Sequence, residues 1–161
     1  MSEPLKITAT AEHMAAVEVL KILFWVGCAG IFYDRAKKVT KALVEFLNHT
    51  NVKFAVLGIE ESCTGDPKRA GNEFLFQMQA KNNITVLNCC NVKRVVTACS
   101  HRFNTLKNEY PSLGGNYEAI CHTQLLQDLL DNVGIKIRGG SFEGEKITFH
   151  DPCYLVRGKD L

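Results

Sequence analysis

Three short apolar runs in this chain each lead into a turn that carries a cysteine, and the three cysteines stand one β-α-β step apart. The runs are Ile22-Leu23-Phe24-Trp25-Val26, Phe54-Ala55-Val56-Leu57 and Val95-Val96-Thr97-Ala98, and the cysteines are Cys28, Cys63 and Cys99. Between them lie 34 and 35 residues. Runs this short cannot be amphipathic helices, and they lack the strict alternation of a strand with one face in water. They read as strands buried on both faces, which occur in parallel sheets covered by helices. Parallel strands with helical returns place the turns that follow them along one edge of the sheet, where such folds bind ligands. Three thiols from distant sequence are thereby gathered at one end of the molecule. The competing reading is that each cysteine is a small buried hydrophobe at a strand end.

The pattern between the runs supports this. Ala36, Val39, Leu43, Phe46 and Leu47 recur at helical spacing within 34–48, with lysines on the other face. Asp66-Pro67 suits a helix start, and a helix is expected over 68–81. Further strands are expected at 84–87, 94–98, 117–120 and 146–149. Further helices are expected near 11–20, 103–109 and 124–132. The expected fold is α/β, a mainly parallel sheet flanked by helices in a Rossmann-like three-layer arrangement. No return helix follows Cys153 before Leu161, so the last β-α unit reads as incomplete.

Bulk composition narrows the function. Lys and Arg number 19 against 17 Asp and Glu, a net charge of +2 with no basic block, so no nucleic acid partner is expected. The most apolar stretch, 17–32, is interrupted by Glu18 and Lys21 and is short for a bilayer, so no direct membrane insertion is expected. No secretory leader is legible. Seven cysteines in a chain of 161 residues then point to a reducing, cytoplasmic setting, where clustered thiols bind metal or do redox chemistry.

Three stretches carry a resemblance: Glu60-Glu61-Ser62-Cys63-Thr64-Gly65-Asp66-Pro67, Cys99-Ser100-His101-Arg102-Phe103-Asn104-Thr105-Leu106-Lys107-Asn108-Glu109-Tyr110-Pro111, and His150-Asp151-Pro152-Cys153-Tyr154. Together they resemble the cysteine-rich CCG domain of iron–sulfur oxidoreductases, a family with heterodisulfide reductase subunits and the iron–sulfur subunits of lactate and glycolate oxidation. The family domain is normally doubled. The resemblance implies an N-terminal extension over 1–20 and, over 21–161, the first half of that module, ending at the start of the second. It implies that Cys28, Cys63 and Cys99 are ligands of a first cluster, and that Cys153 opens a second, incomplete site. The implied cofactor is an iron–sulfur cluster, [4Fe–4S] or a three-iron form. The implied partners are flavin or iron–sulfur subunits, with a C-terminal half or partner chain completing the module.

This chain departs from the family pattern at two positions. The family resembles C-P-H-C where this chain has Cys99-Ser100-His101-Arg102, and a guanidinium has no lone pair to give a metal. Thr64 stands where one version of the motif has a second cysteine. Three outcomes follow: a cubane with a fourth ligand from water, substrate or a side chain; a three-iron cluster; or an empty site serving a partner-binding module. Cys121, in Cys121-His122-Thr123 where the family resembles His-His-Thr, stands as a substitute ligand. A zinc site on the same three cysteines with His101 is a further alternative.

Overall fold

The computed structural model describes residues 22–133, 135 and 139–154. The helix expected near 11–20 lies outside them. Four strands form one parallel sheet: β1 (Ile22–Trp25), β2 (Phe54–Ala55), β3 (Arg94–Thr97) and β4 (Glu118–Cys121), in the order β2-β1-β3-β4. Leu23 lies level with Val95, and Thr97 with Cys121. The chain leaves β1 toward one side of the sheet and crosses back to the other to enter β3. The carboxyl ends of β1 and β3 therefore flank the point where the winding reverses, which is where open α/β sheets form their ligand crevice.

Period-two alternation divides the strands between two cores. Ile22, Phe24 and Val96 pack with Leu43, Val44 and Leu47 of α2 (Asp34–His49) and Leu125 of α6 (His122–Val133). Leu23, Trp25 and Val95 face the opposite layer, against Phe76, Ala80, Ile84 and Leu87 of α4 (Glu73–Cys89), with Leu106 and Tyr110. Both faces are covered, as the apolar runs require. Three shorter helices complete the frame: α1 (Gly27–Phe32) after β1, α3 (Asp66–Arg69), and α5 (Ser100–Asn104) after β3, continued by a π-helical turn over Thr105–Glu109. α2 and α4 end alike. Asn51 and Asn91 adopt left-handed backbone at φ 54° and 51°, and the next amide, of Val52 or Val92, donates to Leu47 O or Leu87 O at 3.0 Å.

Three expectations need correction. Ile84–Leu87 is not a strand but the fourth turn of α4. Phe76, Ala80, Ile84 and Leu87 form one buried stripe at helical spacing, and the hydroxyl of Thr85 bonds back to Lys81 O at 2.9 Å. A four-residue apolar run is ambiguous alone, and the stripe it belongs to decides. The helix expected over 68–81 is two helices: α3 stops at Arg69, and the Asn72 side chain caps α4 by accepting from Leu75 N at 3.0 Å. Lys146–Phe149 alternates like a strand yet forms none, and Ile147 and Phe149 are largely exposed. A strand exists only by pairing, and this segment has no ladder partner among the described residues.

Candidate functional site

At the end of β1 the backbone turns through Gly27, whose φ of 72° favours glycine, and Cys28 follows as the second residue of α1. The turn is held from a distance. The Glu61 carboxylate accepts from Val26 N at 3.0 Å and Gly27 N at 2.7 Å. Burial pushes the Glu61 carboxyl above its ordinary range, opposed by those two amides and by the positive charge of Arg102. Arg102 is buried at 4% exposure. Its Nη1 lies 3.5 Å from Val26 O and its Nη2 3.8 Å from Cys28 Sγ, while Nε has no partner. A Cβ on Gly27 would overlap the guanidinium, so the missing side chain of one residue makes room for the other.

The Cys63 loop is braced from beneath. Ser62 Oγ donates to Asn83 Oδ1 at 2.7 Å, and Asn83 Nδ2 donates to Cys63 O at 3.3 Å and to Tyr110 Oη at 3.0 Å. Tyr110 Oη in turn donates to Thr64 O at 3.5 Å. Asn83 and Tyr110 are fully buried, and desolvation pushes the phenol well up, so it stays a neutral donor. A cavity of about 530 Å³ opens beside this loop, lined by Cys28, Cys63, Glu61 and Ser62 with the apolar Ile31 and Ile59.

Cys28 and Cys63 thus share one cavity. Cys99 does not join them there: it lines a second cavity of about 370 Å³ with Ala98, Tyr33 and Thr40, and Val26 stands in the walls of both. Among the described residues no three Cys, His, Asp or Glu side chains converge closely enough to hold a metal ion. The Cys121 sulfur is engaged elsewhere, 3.5 Å from His122 Nδ1 and accepting from Thr123 Oγ1 at 3.4 Å. Burial acts to raise its pKa, but the His122 and Thr123 contacts outweigh it and bring the thiol down to about 7. The imidazole of His101 packs edge-on against Tyr154, ring centroids 4.5 Å apart. Cys153 is exposed at the end of a segment that returns to this edge through Tyr154. Cys89 and Cys90 close α4, and no disulfide joins any of the cysteines among the described residues. A further cavity, of about 600 Å³, lies apart between α2 and α6; its lining is apolar but for His122.

Glu61 and Asn83 organise the edge, and sequence reasoning does not single them out as site residues. A buried asparagine on an otherwise apolar helix stripe is the one available signal.

Comparisons with known proteins place the chain in a family. A family model described as a cysteine-rich domain, CCG, matches residues 22–107. The chain is 45% identical over 140 residues to a Bacillus subtilis protein named probable iron-sulfur-binding oxidoreductase FadF, covering 86% of this chain and 20% of that protein. It is 43% identical over 136 residues to the EtfAB:quinone oxidoreductase of Syntrophomonas wolfei, covering 84% and 19%. It is 33% identical over 143 residues to one component of the dihydromethanophenazine:CoB–CoM heterodisulfide reductase of Methanosarcina barkeri, covering 84% and 34%. The chain therefore spans about a fifth to a third of the length of these relatives. No solved structure matches. No helix among the described residues is long and apolar enough to cross a membrane.

Proposed function

The chain belongs to the CCG cysteine-rich domain family, and we propose that it is the cysteine-rich module of an iron–sulfur oxidoreductase, a component that passes electrons rather than a complete enzyme. The observation that carries this is the edge itself. Cys28 and Cys63 line one cavity beside the winding reversal, and Cys99 follows the strand that flanks it. On this reading Cys28, Cys63 and Cys99 anchor the cluster, and Cys153 opens a second site. The donor types are three thiols, although Cys99 lines a different cavity from Cys28 and Cys63, and Arg102, buried against Cys28, has no lone pair to make a fourth. When bound, such a cluster supplies one-electron transfer. The chain's own residues set its surroundings. Glu61 fixes the Cys28 turn, Asn83 and Tyr110 fix the Cys63 loop, and the Arg102 cation favours added negative charge nearby. The partners would be flavin or iron–sulfur subunits, and the acceptor a quinone or a disulfide.

A second reading is favoured by the Arg102 contact itself: a cluster-free module that keeps the fold and binds its partner subunits. One experiment separates the two. Purified without oxygen, the chain is assayed together for iron, acid-labile sulfide and zinc. Near-stoichiometric iron and sulfide, lost in Cys63→Ser, support the cluster. Arg102→Cys should then retain iron better than the native chain. Zinc alone supports a structural site. No metal in the native chain or in Arg102→Cys, with folding unchanged by Cys63→Ser, supports the cluster-free module.

A further inference from the structure

Arg69 touches three cysteine-bearing segments at once. It is the last residue of α3, six positions after Cys63, and its Nη1 pairs with Asp66 Oδ1 at 3.2 Å. Its Nη2 donates to His101 O at 3.2 Å and Thr105 Oγ1 at 3.3 Å, both in the segment that follows Cys99. Its Nε donates to Tyr154 Oη at 3.4 Å, and the guanidinium carbon lies 4.9 Å from the centre of that ring. Tyr154 adjoins Cys153, and its ring also meets His101 edge to face.

The contacts matter because little else brings this segment back. From Gly139 to His150 the chain is exposed and forms neither strand nor helix. Among the described residues, the side-chain hydrogen bonds and ring contacts from 139–154 to the rest of the chain pass through Tyr154. Arginine is suited to this task. Its planar fork serves several acceptors along its edge while its cation sits against an aromatic ring, whereas lysine presents a point charge.

We propose that Arg69 is a positioning residue that docks the His150–Tyr154 segment against α5, and so keeps Cys153 at the same end of the sheet as Cys63 and Cys99. The docking is independent of any cluster; its use to the site rests on the reading given above. The two proposed cysteine sites then share a wall, and Arg69 is the joint between them.

Amide hydrogen exchange on the full chain, kept reduced and metal-free, tests this. Arg69→Ala should speed exchange in the peptide covering 150–154 by about tenfold, as expected for loss of a local docking contact, while peptides covering β1 and β3 are unchanged. Tyr154→Ala should reproduce the effect. Tyr154→Phe, which keeps the ring, should stay near the native rate, and Arg69→Lys, which keeps the cation without the fork, should fall between. Unchanged exchange at 150–154 in Arg69→Ala overturns the proposal. So does an equal rise in β1 and β3, which would mean general loosening rather than docking. Should Arg69→Ala fail to fold, Tyr154→Ala carries the test, since that ring lies outside both cores. The iron assay is read separately, so a metal-free chain with the predicted exchange pattern keeps the docking and removes the cluster.

Discussion

Two cysteine turns on the same sheet edge have been given opposite kinds of partner. After β1, Cys28 is exposed to a cavity, and what surrounds it comes from far along the chain: a carboxylate 33 residues on and a guanidinium 74 residues on. After β4, Cys121 is buried, and its partners are the next two residues, His122 and Thr123. The first thiol sits beside a guanidinium, the second beside an imidazole and a hydroxyl. One strand-end pattern thus yields an open thiol served by distant residues and a closed thiol served by its sequence neighbours.

The largest effect should come from disturbing the long-range turn. In Gly27→Ala the new methyl meets both a left-handed backbone and the Arg102 guanidinium. A loss of about 2–4 kcal/mol is expected from urea unfolding. The double variant Gly27→Ala/Arg102→Ala sharpens the comparison. If overlap with the guanidinium dominates, most of the loss returns and about 1 kcal/mol of backbone strain remains. If the two losses simply add, the turn is not built around Arg102 and the contrast with the β4 turn fails.

How far the sequence reveals each turn follows the same division. β1, β3, β4, α2 and α6 are legible because their signals are local: an apolar run of one type, or a stripe of helical period. The Ile84–Leu87 run reads as a strand because it has the composition of one, and only its register with Phe76 and Ala80 makes it helical. The cysteine edge is legible in outline, since strand ends in a parallel sheet must share an end. Its closure is not. Nothing near Glu61 announces that it will cap the amides of Val26 and Gly27, and nothing near Arg69 announces Tyr154, 85 residues away. Arg102 stands out in the sequence for the ligand it cannot be. Its fit over a bare glycine depends on two elements meeting, which no window of sequence contains.

A medium effect separates the two turns by pH. The folded Cys121 thiol is lowered to about 7 from an unfolded value of 9, so the unfolded chain holds the proton longer. The stabilisation is full above 9 and is lost as pH falls through 7, so this group makes stability rise between 7 and 9. Cys121→Ser should remove that rise, read from urea midpoints at the two pH values under reducing conditions. Thiolate absorbance near 240 nm, taken as native minus Cys121→Ser, should titrate near 7. A difference curve centred at the unfolded value would mean that the His122 contact does not form.

The smallest effect concerns the hydroxyl alone. Thr123 Oγ1 donates to the Cys121 sulfur at 3.4 Å, and an acceptor that becomes anionic gains more from such a donor than a neutral thiol does. Thr123→Val keeps the shape and removes the donor. The thiol should then titrate higher than 7 yet below its unfolded value, since His122 remains, and stability at neutral pH should fall by about 0.5–1 kcal/mol. Because both partners are adjacent in sequence, the change should stay within the β4 turn: cysteine-resolved alkylation of Cys28 should proceed at the native rate. If Cys28 responds as well, the two turns communicate along the edge, and the division between a turn served from afar and one served by its neighbours fails.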